Sequence, residues 1–156
     1  MKVDRAELLK QVLAHLRREF ETLTRAANEA RDGATHAESK QENKYDTRGL
    51  EASYLAAGQS QRASEVQSTI EKLKDLPLVI EADSIRPGNI IVLEKGDVRS
   101  MFFLLPYVGG LNLKSSDGEE VKVISSSSPL GKEILGKGEG EDFSFNGQTY
   151  SVVEFF

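Results

Sequence analysis

The chain contains no cysteine, which excludes disulfides, thiol nucleophiles and cysteine-bound zinc together. Nor do its 156 residues contain a long uncharged apolar run. Neither a membrane span nor a signal peptide is expected, and a cytoplasmic protein follows. Positive charge is not in excess, with 20 Lys and Arg against 25 Asp and Glu and a formal net charge of −5. Wrapping duplex nucleic acid rewards clustered Lys and Arg, so no sequence-specific DNA binding is expected, and any nucleic-acid contact is indirect or local. The two histidines, His15 and His36, stand far apart. Without cysteine they offer neither a zinc cage nor a nucleophile's base. A composition of 38% hydrophobic and 29% charged residues fits a soluble chain of one ordinary domain or two small ones.

What is present is periodic. Leu9, Leu13, Leu16, Phe20, Leu23, Ala27, Ala30 and Ala34 recur at alternating steps of four and three, the a/d period of a coiled coil. Ala52, Ala56, Gln59, Ala63, Val66, Ile70 and Leu73 repeat the pattern. Laid antiparallel, the series face each other as 9 with 73, 13 with 70, 16 with 66, 20 with 63, 27 with 56 and 30 with 52. The fold-back then falls between Glu38 and Asp46. Asp4 is a suitable N-cap for the first arm. The seam carries large residues at its base and alanines beyond Ala27, so the hairpin tapers toward its tip, a shape suited to entering a channel on a partner or simply to close helix approach. The arms are expected to separate around Asp32 and Gly33.

At the tip, Ser39-Lys40-Gln41-Glu42 spells S-x-x-E, a capping box that would open a second helix running from about Lys40 to Lys74. Acids at Glu38, Glu42 and Asp46 alternate with bases at Lys40, Lys44 and Arg48. Stacked carboxylates repel by a few tenths of a kcal/mol, which a cation would relieve. Mg²⁺ takes one or two protein carboxylates and leaves its other positions to water or another molecule's oxygens, so Glu42 and Glu38 are candidates for a metal site shared with a partner. A solvated, salt-bridged tip is the alternative.

Pro77 ends the heptads and, with Pro87, brackets a connector. The period then changes to two. Strand-like runs at 89–94 and 98–107 are joined by Lys95-Gly96-Asp97, and runs at 111–114 and 120–125 flank a turn with Asp117-Gly118. Ser128-Pro129 opens a short helix as N-cap and N1, and Gly136 closes it. Runs at 142–145 and 148–156 flank Asn146-Gly147, a strong hairpin signal that places Phe143 opposite Tyr150. The expected fold is α+β, an antiparallel helical hairpin followed by a small, mostly antiparallel sheet with one short helix. Its core includes Ile90, Val92, Phe102, Leu104, Val121, Val123 and Val152. Gly131 to Lys137 imitates a phosphate-binding loop, but Gly138 stands where Ser or Thr is needed and the intervening residues are helical in character. The serines at 125–128 read as a strand end plus helix cap rather than a nucleophile.

A tapered hairpin followed by a small sheet carrying Ser128-Pro129-Leu130-Gly131, and then Leu135-Gly136-Lys137, resembles the GreA/GreB bacterial transcription elongation factors over nearly the whole chain. The resemblance implies a hairpin domain at 1–76, a linker at 77–88 and an FKBP-like domain at 89–156. It also implies a partner, bacterial RNA polymerase. The FKBP-like domain, through Ser128, Pro129, Leu130 and Gly131, would dock at the rim of the secondary channel. The hairpin would reach the polymerase active site, touching the nascent RNA 3′ end indirectly and helping the polymerase's own Mg²⁺ cleave backtracked RNA. Such a factor is not itself an enzyme, has no cofactor of its own and is expected as a monomer.

Glu42 and Asn43 match the Glu-Asn pair of the family's D-x-x-E-N tip, while Ser39 stands where the family has aspartate. Glu38 and Asp46 are nearby substitutes. A Gre-like factor that occupies the channel without stimulating cleavage is therefore an alternative. An FKBP-like prolyl isomerase or a self-associating hairpin are alternatives of other classes. Coiled-coil channel regulators of the DksA type depend on a cysteine zinc site that this chain lacks.

Overall fold

The structure, a computed structural model, describes residues 3–39, 48–78 and 81–156, with side chains at all of these except 34–39 and 48. The chain is α+β: helices α1 (Arg5–Ser39) and α2 (Arg48–Lys74), then strands β1 (Ile90–Lys95), β2 (Val98–Leu105), β3 (Leu111–Lys114) and β4 (Glu120–Ser125), helix α3 (Pro129–Ile134), and strands β5 (Asp142–Phe145) and β6 (Gln148–Phe155). It divides into two compact units, Leu13–Lys72 and Met1–Val12 with Leu73–Phe156. No helix among the described residues is long and apolar enough to cross a membrane.

Asp4 caps α1 as its residue type suggests, its Oδ1 accepting from the Glu7 N–H at 3.3 Å while its carbonyl accepts from the Leu8 N–H. The helix then continues through Gly33 to Ser39. A glycine costs about 1 kcal/mol in a helix interior, too little to end a helix of 35 residues. Ser39 is the last described residue of α1, and the capping box expected from Ser39 to Glu42 falls outside the described residues.

In the helical unit, Glu19 pairs with Arg62 at 3.2 Å and Arg31 donates to Ser60 at 3.4 Å, so α1 and α2 run antiparallel. The heptad positions face inward. Leu16, Ala27, Ala56, Ala63, Val66 and Ile70 are buried, and Leu13, Phe20, Leu23, Ala30, Ala52 and Gln59 are half-buried. The taper is also present, because buried side chains shrink from Leu16, Val66 and Ile70 to Ala27, Ala56 and Gly49. A fully buried Leu or Val contributes about 1.5–3 kcal/mol and an alanine far less, so stability concentrates at the wide end. Leu50, Tyr54 and Leu55 lie exposed on α2.

The other unit is a six-stranded sheet in the order β3-β4-β2-β1-β6-β5. It is mixed rather than purely antiparallel, since β2 pairs with β4 in parallel through Met101↔Val121 and Phe103↔Val123, while the other described pairings are antiparallel. The Asn146-Gly147 turn has φ of 52° and 75°, as a type I′ hairpin requires. Phe143 falls opposite Tyr150 as expected, the rings stacking at 5.4 Å.

Side chains alternate across a sheet, and here both faces are buried. One face carries Ile91, Leu93, Phe102, Leu104, Phe143 and Val152, which form a cluster with Ile134 of α3 and with Ile85. The opposite face carries Ile90, Val92, Met101, Phe103, Val121 and Val123. In the same unit lie the fully buried Leu8, Val12 and Leu73 of the helical base. The Gln11 amide fastens that base to edge strand β3, donating to the Lys114 carbonyl at 2.8 Å and accepting from its N–H at 3.3 Å. One side-chain amide thus pairs a residue of an otherwise open edge. Arg5 donates to the Leu78 carbonyl, and burial lowers the pKa of its guanidinium.

Candidate functional site

The Ser128 to Lys137 stretch forms a corner between β4 and α3. The Ser128 Oγ accepts from the Gly131 N–H at 3.1 Å, capping α3, and donates to the Ser125 carbonyl at 2.6 Å. Pro129 occupies the first turn, where its missing N–H costs nothing. Gly131 is buried so closely against the end of β4 that a Cβ would lie 2.0 Å from the Ser125 carbonyl oxygen. Beyond the helix, the Gly136 N–H donates to the Ile85 carbonyl and the Ile85 N–H to the Lys137 carbonyl, tying the corner to the segment before β1. The neighbouring serines are local turn chemistry, with Ser125 and Ser127 hydroxyls 2.8 Å apart. That helical geometry also rules out a phosphate-binding loop at Gly131 to Lys137.

The four residues assigned to docking therefore divide by role. Pro129 is exposed, Leu130 is half-buried against the cluster beneath α3, Ser128 is a cap and Gly131 is a close-approach glycine. Much of what makes this stretch recognisable is what builds the corner. Replacing Leu130 by a charged residue would disturb packing together with any contact, so Pro129 is the cleaner probe.

Sequence reasoning missed Tyr107. The strand was expected to run to this residue, yet β2 ends at Leu105, and Tyr107 stands in the following loop, 63% exposed with φ of 68°. The Gly109-Gly110 pair just beyond it was the available signal of a sharp loop. His15 is exposed, as its place beside the seam suggests.

Of the tip residues, Glu38 and Ser39 close α1, their side chains lying outside the described ones, and Glu42, Asn43 and Asp46 fall outside the described residues altogether. The metal pair expected of Glu42 and Glu38 thus rests on side chains outside the described ones. Among the described residues no group of three or more His, Asp or Glu side chains is placed to hold a metal ion.

The chain is similar to the Gfh1 transcription factors. The crystal structure of GreA factor homolog 1 (Gfh1) protein of Thermus thermophilus is 22% identical, the match covering 95% of this chain and 94% of that one at a TM-score of 0.37. Thermus aquaticus Gfh1 is 20% identical over 96% of this chain and 92% of its own, with a TM-score of 0.36. A further structure of the transcription factor Gfh1 is 21% identical over 99% and 94%, with a TM-score of 0.38. No protein-family model matches the chain, and no curated protein does.

Proposed function

We propose that the chain is a Gre-like factor that binds bacterial RNA polymerase, the sheet unit docking on the enzyme and the helical hairpin entering its secondary channel. The observation that carries this reading is the taper of the helical unit, from Leu16, Val66 and Ile70 to Ala27, Ala56 and buried Gly49. A 35-residue α1 is about 50 Å long, enough to carry a small tip deep into a partner. The chemistry at the far end would belong to the polymerase and its Mg²⁺, with Glu42 adding an anionic ligand and Asn43 beside it. The factor would not be an enzyme alone. The isomerase alternative gains nothing from the sheet unit, where Phe102 and Phe143 are buried in the cluster beneath α3.

Titrating core RNA polymerase with the labelled full-length protein tests the reading. One-to-one saturable binding with a Kd of about 1 µM or tighter is expected, the weak end of what a standard-sized specific interface delivers. Binding no stronger than that of an unrelated acidic protein would overturn it.

A further inference from the structure

Tyr107 has φ of 68°, in the left-handed region where a bulky L-residue is an outlier costing about 1–2 kcal/mol. Among the described residues the other non-glycine with positive φ is Asn146, whose side chain tolerates that region. Tyrosine has no such excuse, and the surrounding chain enforces the conformation. On one side the Leu105 carbonyl accepts from the Ser126 N–H at 2.9 Å. On the other, Val108 is buried, Gly109 lies so close to the β4 end that a Cβ would be 2.8 Å from the Ser125 nitrogen, and the Gly110 N–H donates to the Val123 carbonyl at 2.9 Å. Both flanks of the loop are fastened to the corner that leads into Pro129. The phenol ring between them is left 63% exposed.

Strain held in place by such over-determined surroundings is characteristic of functional positions. The local chemistry narrows the class of partner. Residues 104–113 and 123–131 contain no charged side chain, in a chain that is 29% charged. An aromatic ring pre-set by a rigid loop suits a protein surface offering an apolar pocket. Tyrosines in such settings are frequent binding hot spots, and a ring already fixed loses little entropy on docking.

We infer that Tyr107 is the anchor by which the sheet unit docks on RNA polymerase. This rests on the polymerase reading given above. The test compares wild type, Tyr107→Asn and Tyr107→Phe, all full-length, in binding to core polymerase and in thermal melting. Asparagine accepts the left-handed backbone while removing the ring, so Tyr107→Asn should keep its Tm within about 2 °C of wild type or above it. Its affinity should fall about thirtyfold, the loss expected of an aromatic hot spot. Tyr107→Phe, which keeps the ring, should bind within about threefold of wild type. If wild type binds and Tyr107→Asn binds equally well, the anchor is refuted while the polymerase reading stands. A Tyr107→Asn protein that loses affinity only in step with a lowered Tm would make the ring a structural element and also overturn the assignment. Absence of wild-type binding would remove both.

Discussion

Gly131→Ala is expected to lower the thermal midpoint of the protein by about 6–12 °C, the shift that follows from a loss of about 3 kcal/mol in a chain of this size. The added methyl would sit 2.0 Å from the Ser125 carbonyl oxygen and 2.9 Å from the Ser128 Oγ. Neither neighbour has room to yield, because that same oxygen accepts from the Ser128 hydroxyl and that hydroxyl caps α3. The substitution therefore strikes the strand end and the helix cap together. Pro129→Ala, on an exposed side chain, should move the midpoint by no more than about 2 °C. Melting followed by circular dichroism separates the two, and a Gly131→Ala protein that melts with wild type would contradict the close approach.

That pair of substitutions shows what the sequence could and could not disclose. The strands were legible because a period of two, punctuated by Gly96-Asp97, Asp117-Gly118 and Asn146-Gly147, is a local signal. The helical seam was legible because a/d spacing is also local, and the buried faces of α1 and α2 follow it. Leu8 and Val12 were not, since they lie outside the a/d series and are buried in the unit that contains the sheet. The parallel pairing of β2 with β4 was hidden for a related reason. Which strand lies beside which depends on contacts between distant segments, and alternation reads the same for either direction. At the corner, cap and proline were readable from residue type, whereas the steric demand on Gly131 needs the position of Ser125 in space. At Tyr107 the sequence reads as a strand end because Pro106 and Tyr107 continue an apolar run, and tyrosine as a residue type gives no sign of a positive φ.

At the tip, Glu42→Gln is expected to abolish any effect of the protein on RNA cleavage while leaving melting and polymerase binding unchanged. A capping role would have made glutamine an adequate replacement. What the substitution removes is therefore charge, the property a hard Mg²⁺ requires of its ligand. Wild type itself is expected to stimulate cleavage weakly or not at all, since Ser39 stands where the resembled factors carry aspartate. Ser39→Asp should raise cleavage in a Mg²⁺-dependent manner. The last turn of α1 disfavours a new carboxylate by about 0.3–1 kcal/mol through the helix dipole, a cost that a bound cation offsets. Single-turnover cleavage on a backtracked complex reads both variants. Strong wild-type cleavage that survives Glu42→Gln would move the chemistry to Glu38 or Asp46.

The absence of cysteine supplies the most direct test of the central claim, that the hairpin tip enters the polymerase channel. Asn43→Cys creates a unique thiol to which a short photo-crosslinker can be attached, and the labelled full-length protein is irradiated on a stalled, backtracked elongation complex. Crosslinks to the RNA 3′ end or to polymerase residues lining the active centre are expected, and they should disappear when excess unlabelled wild type is added. Efficient binding with crosslinks confined to the outer surface of the polymerase would contradict the account.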